Sequence, residues 1–360
     1  MTTKLTIPTR KNVIEQVKRE GFQLGAVMPF HYSRALLRAF DIHPMEIWGP
    51  PHVEPMDGQQ HFPEYTCQIV QKATRFLQTE QAGDIDCILI PHTCDSLQGM
   101  ASVFIDFIKL PQPVFTLYHP RGRRPSDLEF LEREFRVLSQ KIADFTGKTL
   151  SEERLHHEID LEERADRLLE RMSTNRGEYQ LTDREFYTFL RSREFLPVQD
   201  FINLAEELPT GKADLKGPGI LLSGIVAEPM DLFDHINKFG AHVIADDLAC
   251  CSRRIYRAPD QTDAFKRLAK QLTSMPPDPT ISTPYAERFN YLTDRMKQSG
   301  SQAVIVFDVK FCEPELFYLP MFEDAMKEAG WPFIYIENEL TAELPEQVLN
   351  RINSFVEVLL

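Results

Sequence analysis

Unbroken apolar runs rich in Val, Ile and Leu recur along the chain at 24–28, 85–91, 113–117, 219–225, 242–245, 303–307 and 333–336. Continuous hydrophobicity, rather than alternation, predicts parallel strands covered on both faces. Helical patterns lie between them. Pro229, Met230 and Asp231 open a short helix that Gly240 closes before the strand VIADD, a compact βαβ unit. The stretch 317–329, followed by Gly330 and then PFIYIE, repeats that design. The pattern predicts an α/β fold.

The middle of the chain reads differently. Leu131, Phe135, Leu138, Ile142 and Phe145 are spaced alternately by four and three, a helix with one apolar stripe. Ser151 followed by Glu152 and Glu153 starts a second helix, with Leu155, Ile159, Leu168, Leu169 and Met172 inward. Its many Glu and Arg residues are expected on a solvated face. Segments 183–193 and 198–208 continue in helical style. The expected organisation is an N-terminal α/β domain over 1–125, a helical segment over 126–210 and a C-terminal α/β domain over 211–360. That makes two Rossmann-like parallel-sheet domains with helices between them, hinged at the Gly/Pro/Lys-rich stretch 210–219.

Composition narrows the function. A net charge of −14 over 360 residues excludes a nucleic-acid surface, which needs concentrated basic residues. One basic cluster stands against that background, His119-Pro120-Arg121-Gly122-Arg123-Arg124, either an anion site or a solvated loop. The N-terminal MTTKLTIPTRK has no apolar core, and no apolar run approaches the length of a membrane span. The expectation is a cytoplasmic protein that engages no membrane. In that compartment its six cysteines stay reduced and serve as core residues, nucleophiles or metal ligands.

In open parallel sheets ligands bind beyond the C-terminal ends of strands. Cys94 follows the run ILIPHT, Cys250 and Cys251 follow VIADDLA, and Cys312 follows VIVFDVKF. Cys67 lies near a helix start, where the helix dipole favours a thiolate, and Cys87 lies inside a strand as a small core hydrophobe. The spread suits either an iron–sulfur or zinc site bridging the two halves or ordinary burial of free thiols, and position alone does not separate them. The two adjacent thiols of ADDLACCSRR are the most conspicuous, yet neighbouring residues seldom both ligate one ion.

Taken in order, the segments EYTCQIVQK, DCILIPHTCDSL, GIVAEPMDLFDHINKFGAHVIADDLACCSRR and VIVFDVKFCEPELFYLPMFEDAMKEAGWPFIYIENEL resemble the 2-hydroxyacyl-CoA dehydratase / benzoyl-CoA reductase family. The resemblance spans about residues 20–340 and is carried most specifically by the Cys-Asp pair after a strand, the DD-x-A…SR segment and KFC-x-P. It implies a [4Fe–4S] cluster held by three cysteines with one iron left open. Carried over residue by residue, the ligands are Cys67, Cys94 and Cys312. Cys250 and Cys251 do not inherit a ligand role and stand as alternates. The family often has hydroxyl side chains near the open iron. The corresponding stretch here is Pro29-Phe30-His31-Tyr32-Ser33, which leaves His31 and Ser33 as the candidate catalytic groups.

The resemblance also implies a reaction. A 2-hydroxyacyl-CoA loses water after a single low-potential electron converts its thioester carbonyl to a ketyl radical, so that hydroxide leaves and the β-proton becomes acidic. A related branch reduces the aromatic ring of benzoyl-CoA. Both imply a homologous second subunit and a separate ATP-hydrolysing iron–sulfur activator, and this chain carries no GxxxxGK[ST] loop of its own. Another class of role is a non-catalytic subunit that relays electrons. For the phosphates of coenzyme A the candidates are Arg121, Arg253 and Arg254. The competing role for Arg253 and Arg254 is ion pairing with Asp246 or Asp247.

Overall fold

The structure is a computed structural model and describes residues 6–29, 31–50, 52–54, 61–79, 82–257 and 261–360. Its core is two four-stranded parallel sheets. The first contains β1 (Gln23–Val27), β2 (Ile42–Glu46), β3 (Cys87–His92) and β4 (Val114–Tyr118), in the order β2-β1-β3-β4. The second contains β5 (Gly219–Gly224), β6 (His242–Leu248), β7 (Ala303–Val309) and β8 (Phe333–Asn338), in the order β6-β5-β7-β8. The winding is the same in both lobes. The first connection runs outward to an edge, and the next returns over the starting strand, as right-handed crossovers require.

Seven of these strands follow the apolar runs. The eighth, β2, has the sequence IHPME, in which His43, Pro44 and Glu46 hide its strand character. It is an edge strand, where the missing N–H of Pro44 is tolerated. Packing decides the matter, since all five of its residues are buried.

In the first lobe, α1 (Arg10–Arg19) precedes β1, α2 (Arg34–Arg38) joins β1 to β2, α3 (Gln68–Leu77) joins β2 to β3 and α4 (Asp95–Asp106) joins β3 to β4. Helices α5 (Pro125–Thr146), α6 (Glu152–Thr174), α7 (Asp183–Ser192) and α8 (Val198–Glu206) lie between the sheets in sequence. The second lobe adds α9 (Asp231–Lys238), α10 (Ala264–Thr273), α11 (Tyr285–Ser299), α12 (Glu313–Ala329) and α13 (Glu346–Leu359). Ser151 caps α6 as its sequence suggests, accepting from the Arg154 N–H.

The expectation of a solvated charged face on α6 holds for Glu152, Glu153, Asp160, Arg164, Arg167 and Arg171 but fails for three acids. Glu158, Glu162 and Asp166 are buried one turn apart. They meet Arg38 at 2.8 Å from Glu158, and Arg193 bonds Glu162 and lies 3.4 Å from Asp166. Arginines supplied by α2 and by the end of α7 turn what reads as a water-facing stripe into a buried ionic seam.

The lobes are packed together rather than loosely linked. One apolar cluster runs through both sheets and joins Ile88 and Ile90 to Ile220, Ile305 and Phe307. A second places Tyr256, Leu268, Leu272 and Met275 on the outer face of the first sheet beside Leu131 and Phe135. At the end of β5, Gly224 adopts φ +140, and a side chain there would meet the Phe307 carbonyl at 2.0 Å. Only glycine lets β5 and β7 approach so closely at their C-terminal ends.

Candidate metal centre

The three cysteines that the resemblance singles out share a structural position. Cys67 is the N-cap residue of α3, Cys94 of α4 and Cys312 of α12. Cys94 and Cys312 stand just past the C-terminal ends of β3 and β7, so the parallel topology delivers both to the functional edge of their sheets. The Gln68 N–H donates to the Lys310 carbonyl at 3.4 Å, which ties the start of α3 to the turn leading into Cys312. Cys94 opens on a cavity of about 140 Å³ whose far wall is Glu313, Pro314 and Phe317 of α12. Three helix starts, two from one lobe and one from the other, therefore converge.

Their electrostatics follow from that arrangement. Burial pushes the Cys67 thiol up to about 12, with Cys94 adding like-charge repulsion. Burial likewise raises Cys94, and it raises Cys312 well above the usual thiol range, with Asp308 and Cys67 adding to the effect. Backbone N–H groups oppose this: those of Ile69 and Val70 favour the Cys67 thiolate, and that of Glu315 favours Cys312. Thiols held in this way become thiolates only when a cation shares the site.

Buried polar atoms without partners flank the same positions. They are His92 Nε2 and Thr93 Oγ1 just before Cys94, and Asp308 Oδ2 at the end of β7 before Cys312. Such orphans are costly in a close-packed interior unless something else occupies the site. Among the described residues no three Cys, His, Asp or Glu side chains already stand at the spacing of a single-ion site. An iron–sulfur cluster holds its thiolates farther apart than one ion does, since iron and sulfide lie between them. Three solitary N-cap thiols and the orphaned atoms beside them fit that donor chemistry.

ADDLACCSRR has a different task. Cys250 and Cys251 are fully buried, with sulfurs 3.6 Å apart, and burial raises Cys251 far above the thiol range. Arg253 is fully buried. It donates to Asp278 Oδ2 at 2.8 Å, to the Asp247 carbonyl at 3.0 Å and to the Gly224 carbonyl, and it pairs with Glu315 at 2.7 Å. Asp247 is claimed by Arg288 and by the Ser223 hydroxyl at 2.7 Å. Arg254 reaches into the other lobe and pairs with Glu46, which also accepts from Arg34, from Tyr32 Oη at 3.1 Å and from Trp48 Nε1 at 3.0 Å. Both arginines are thus engaged by carboxylates inside the protein; of the two aspartates expected from the sequence only Asp247 is near, its carboxylate 3.8 Å from Arg253, and the closer partners Asp278, Glu315 and Glu46 were not expected.

The remaining candidates are also spoken for. His31 is buried at a left-handed φ of +58. Its N–H donates to Tyr256 Oη at 3.0 Å, the same oxygen lies 3.3 Å from Nδ1, and Nε2 faces Asp278 Oδ1 at 3.6 Å. His119 Nε2 donates to the His31 carbonyl at 2.6 Å. Burial lowers the pKa of His31, with Asp278 opposing the shift, and the ring joins the two lobes here. Ser33 is the N-cap of α2, its hydroxyl accepting from the Leu36 N–H at 3.1 Å. Phe30 lies outside the described residues. Arg121 bridges the lobes, donating to the Thr280 carbonyl at 2.9 Å while its side chain borders the Cys94 cavity. Cys87 sits inside β3 with its sulfur against Gly25.

The model of the 2-hydroxyglutaryl-CoA dehydratase D-component family matches residues 29–359. This chain belongs to that family. It is 23% identical to the (R)-phenyllactyl-CoA dehydratase beta subunit of Clostridium sporogenes, over 97% of this chain and 95% of that protein. It is 25% identical to the lactoyl-CoA dehydratase beta subunit of Anaerotignum propionicum, over the same shares. A benzoyl-CoA reductase subunit from Thauera aromatica is 20% identical, over 87% of this chain and 85% of its own length. These family relatives are enzyme subunits. Among the described residues no helix is long and apolar enough to cross a membrane.

Sequence reasoning missed Glu46, Asp278, Asp308 and Glu315. Glu46 lies in the interrupted strand β2 and pairs with Arg254 of the other lobe, whereas Asp278 and Glu315 both meet Arg253 from points distant in sequence.

Proposed function

We propose that this chain is the [4Fe–4S]-carrying subunit of a 2-hydroxyacyl-CoA dehydratase, acting with a homologous second subunit and a separate ATP-hydrolysing iron–sulfur activator. The observation that carries the reading is the convergence of Cys67, Cys94 and Cys312 at three helix N-termini from both lobes. These three thiolates would hold the cluster. When bound, the cluster supplies the low-potential electron that makes loss of water from a 2-hydroxyacyl-CoA feasible. The protein's own part is to exclude water around the thiolates, to place helix N–H groups against them, and to keep the lobes in register through Arg254–Glu46 and Arg253–Asp278. The border that Arg121 forms on the Cys94 cavity supports a role for it in meeting a substrate phosphate.

A specific observation favours a second reading, in which this subunit relays electrons and the thioester reacts on the partner. The cavity beside Cys94 measures about 140 Å³, well below the roughly 300 Å³ at which small-molecule pockets begin. One experiment decides between them. The chain and its partner subunit are purified anaerobically, and binding of a 2-hydroxyacyl-CoA is measured for each alone before water loss is assayed in the reactivated pair. Dehydration that needs this chain, together with thioester binding by this chain, supports the catalytic reading. Dehydration with binding confined to the partner supports the relay. Reduction of benzoyl-CoA without any dehydration moves the chain to the aromatic branch.

A further inference from the structure

A half-open cavity that the proposed reaction does not use lies beside Glu46, where all three segments of the chain meet. It measures about 380 Å³. Its walls are Ile14 of α1, Leu24 and Ala26 of β1, Met45 of β2 and Phe76 of α3, with Trp48. Apolar walls left uncovered over this volume face water rather than packed atoms, and a ligand that covered them would recover both hydrophobic and dispersion free energy. It falls in the range of small-molecule pockets and at a junction between domains, where such pockets concentrate.

The charged groups at its rim define what fits. Arg10 donates to Glu194 at 2.6 Å and to the Glu46 carbonyl at 3.0 Å. Arg191 donates to Glu194 at 2.7 Å and also pairs with Glu228. Asp84 pairs with Lys18 at 2.6 Å, and the Trp48 N–H is given to Glu46. Each rim charge already has its partner. An ionic ligand would therefore have to compete with pairs already made, and stripping the largely buried Arg191–Glu194 pair would cost more than a new contact returns.

We propose that this cavity is a second ligand site, one that binds a neutral aromatic or branched aliphatic group. The site is independent of the cluster and of the reading given above.

Calorimetry with 2-naphthalenemethanol, a neutral aryl probe, and 2-naphthoate, its anionic counterpart, tests this on the anaerobically purified full chain. The neutral probe is expected to bind saturably at one site. The carboxylate is expected to bind at least about tenfold more weakly. Ala26→Leu and Ile14→Phe fill the cavity from β1 and from α1, and each is expected to weaken the neutral probe at least about tenfold while the thermal melt stays cooperative. Using both walls keeps the test decisive where one variant misfolds. No saturable binding to the wild-type chain overturns the proposal. Equal binding of the carboxylate overturns the ligand class. Unchanged binding in both filled variants overturns the location.

Discussion

At the scale of single residues, buried histidines make stability depend on pH. His43 Nε2 donates to the Phe195 carbonyl at 2.8 Å, and burial pulls the ring from its ordinary 6.5 to about 4. Burial lowers His119 further, to about 3, with the neighbouring His31 adding to it. A lowered histidine means that the unfolded chain takes up the proton first, so stability is full above 6.5 and falls as pH drops toward 4. By this reasoning His43 alone accounts for about 2 kcal/mol between pH 7 and pH 5. The urea midpoint should fall over that range, and His43→Gln should shrink the fall by about that amount. A pH 7-to-5 difference unaltered by the substitution contradicts the burial account. None of this was legible in the sequence, because His43 sits in the one strand whose pattern is broken.

Elements show the same division. The apolar runs located seven strands because buried parallel strands are hydrophobic on both faces. The acidic stripe of α6 misled because periodicity shows which residues share a face but not whether a partner covers it. Arg193 supplies that cover and is nearly fully buried against Glu162 and Asp166. Burial raises Asp166 to about 6, while Arg193 and Arg34 pull it back down. Arg193→Met should therefore leave two buried carboxylates short of a counter-charge and cost about 3–5 kcal/mol in urea denaturation. Pairing it with Glu162→Leu should recover part of that loss. A loss below about 1 kcal/mol for the single change would place the seam in effective contact with water.

At the scale of the whole molecule, the repeated β2-β1-β3-β4 winding brings cysteines far apart in sequence to one place. The family resemblance gave that convergence its meaning, since position alone left a metal site and buried thiols equally open. What the sequence could not display was how completely the lobes are latched. Lys72 donates to the Leu340 carbonyl, the Leu340 N–H donates to Gln68 at 2.8 Å, and Arg123 donates to the Met275 carbonyl at 3.2 Å. Long-range pairs of this kind leave no local signature. They predict that the lobes unfold as one. The two tryptophans report on opposite lobes, Trp48 after β2 and Trp331 before β8. Trp48→Phe and Trp331→Phe should give coincident fluorescence transitions in urea, whereas separated midpoints would mean independent domains.

The central claim is that Cys67, Cys94 and Cys312 together hold one cluster, and metal content tests it most directly. Iron and acid-labile sulfide should be measured in strictly anaerobic preparations of the wild-type chain and of single serine variants at each of the six cysteines. The account predicts about four iron and four sulfide per chain in the wild type and in the variants at Cys87, Cys250 and Cys251, and loss of both in the variants at Cys67, Cys94 and Cys312. An iron-free wild-type chain, or full iron retained in each of those three variants, would contradict it.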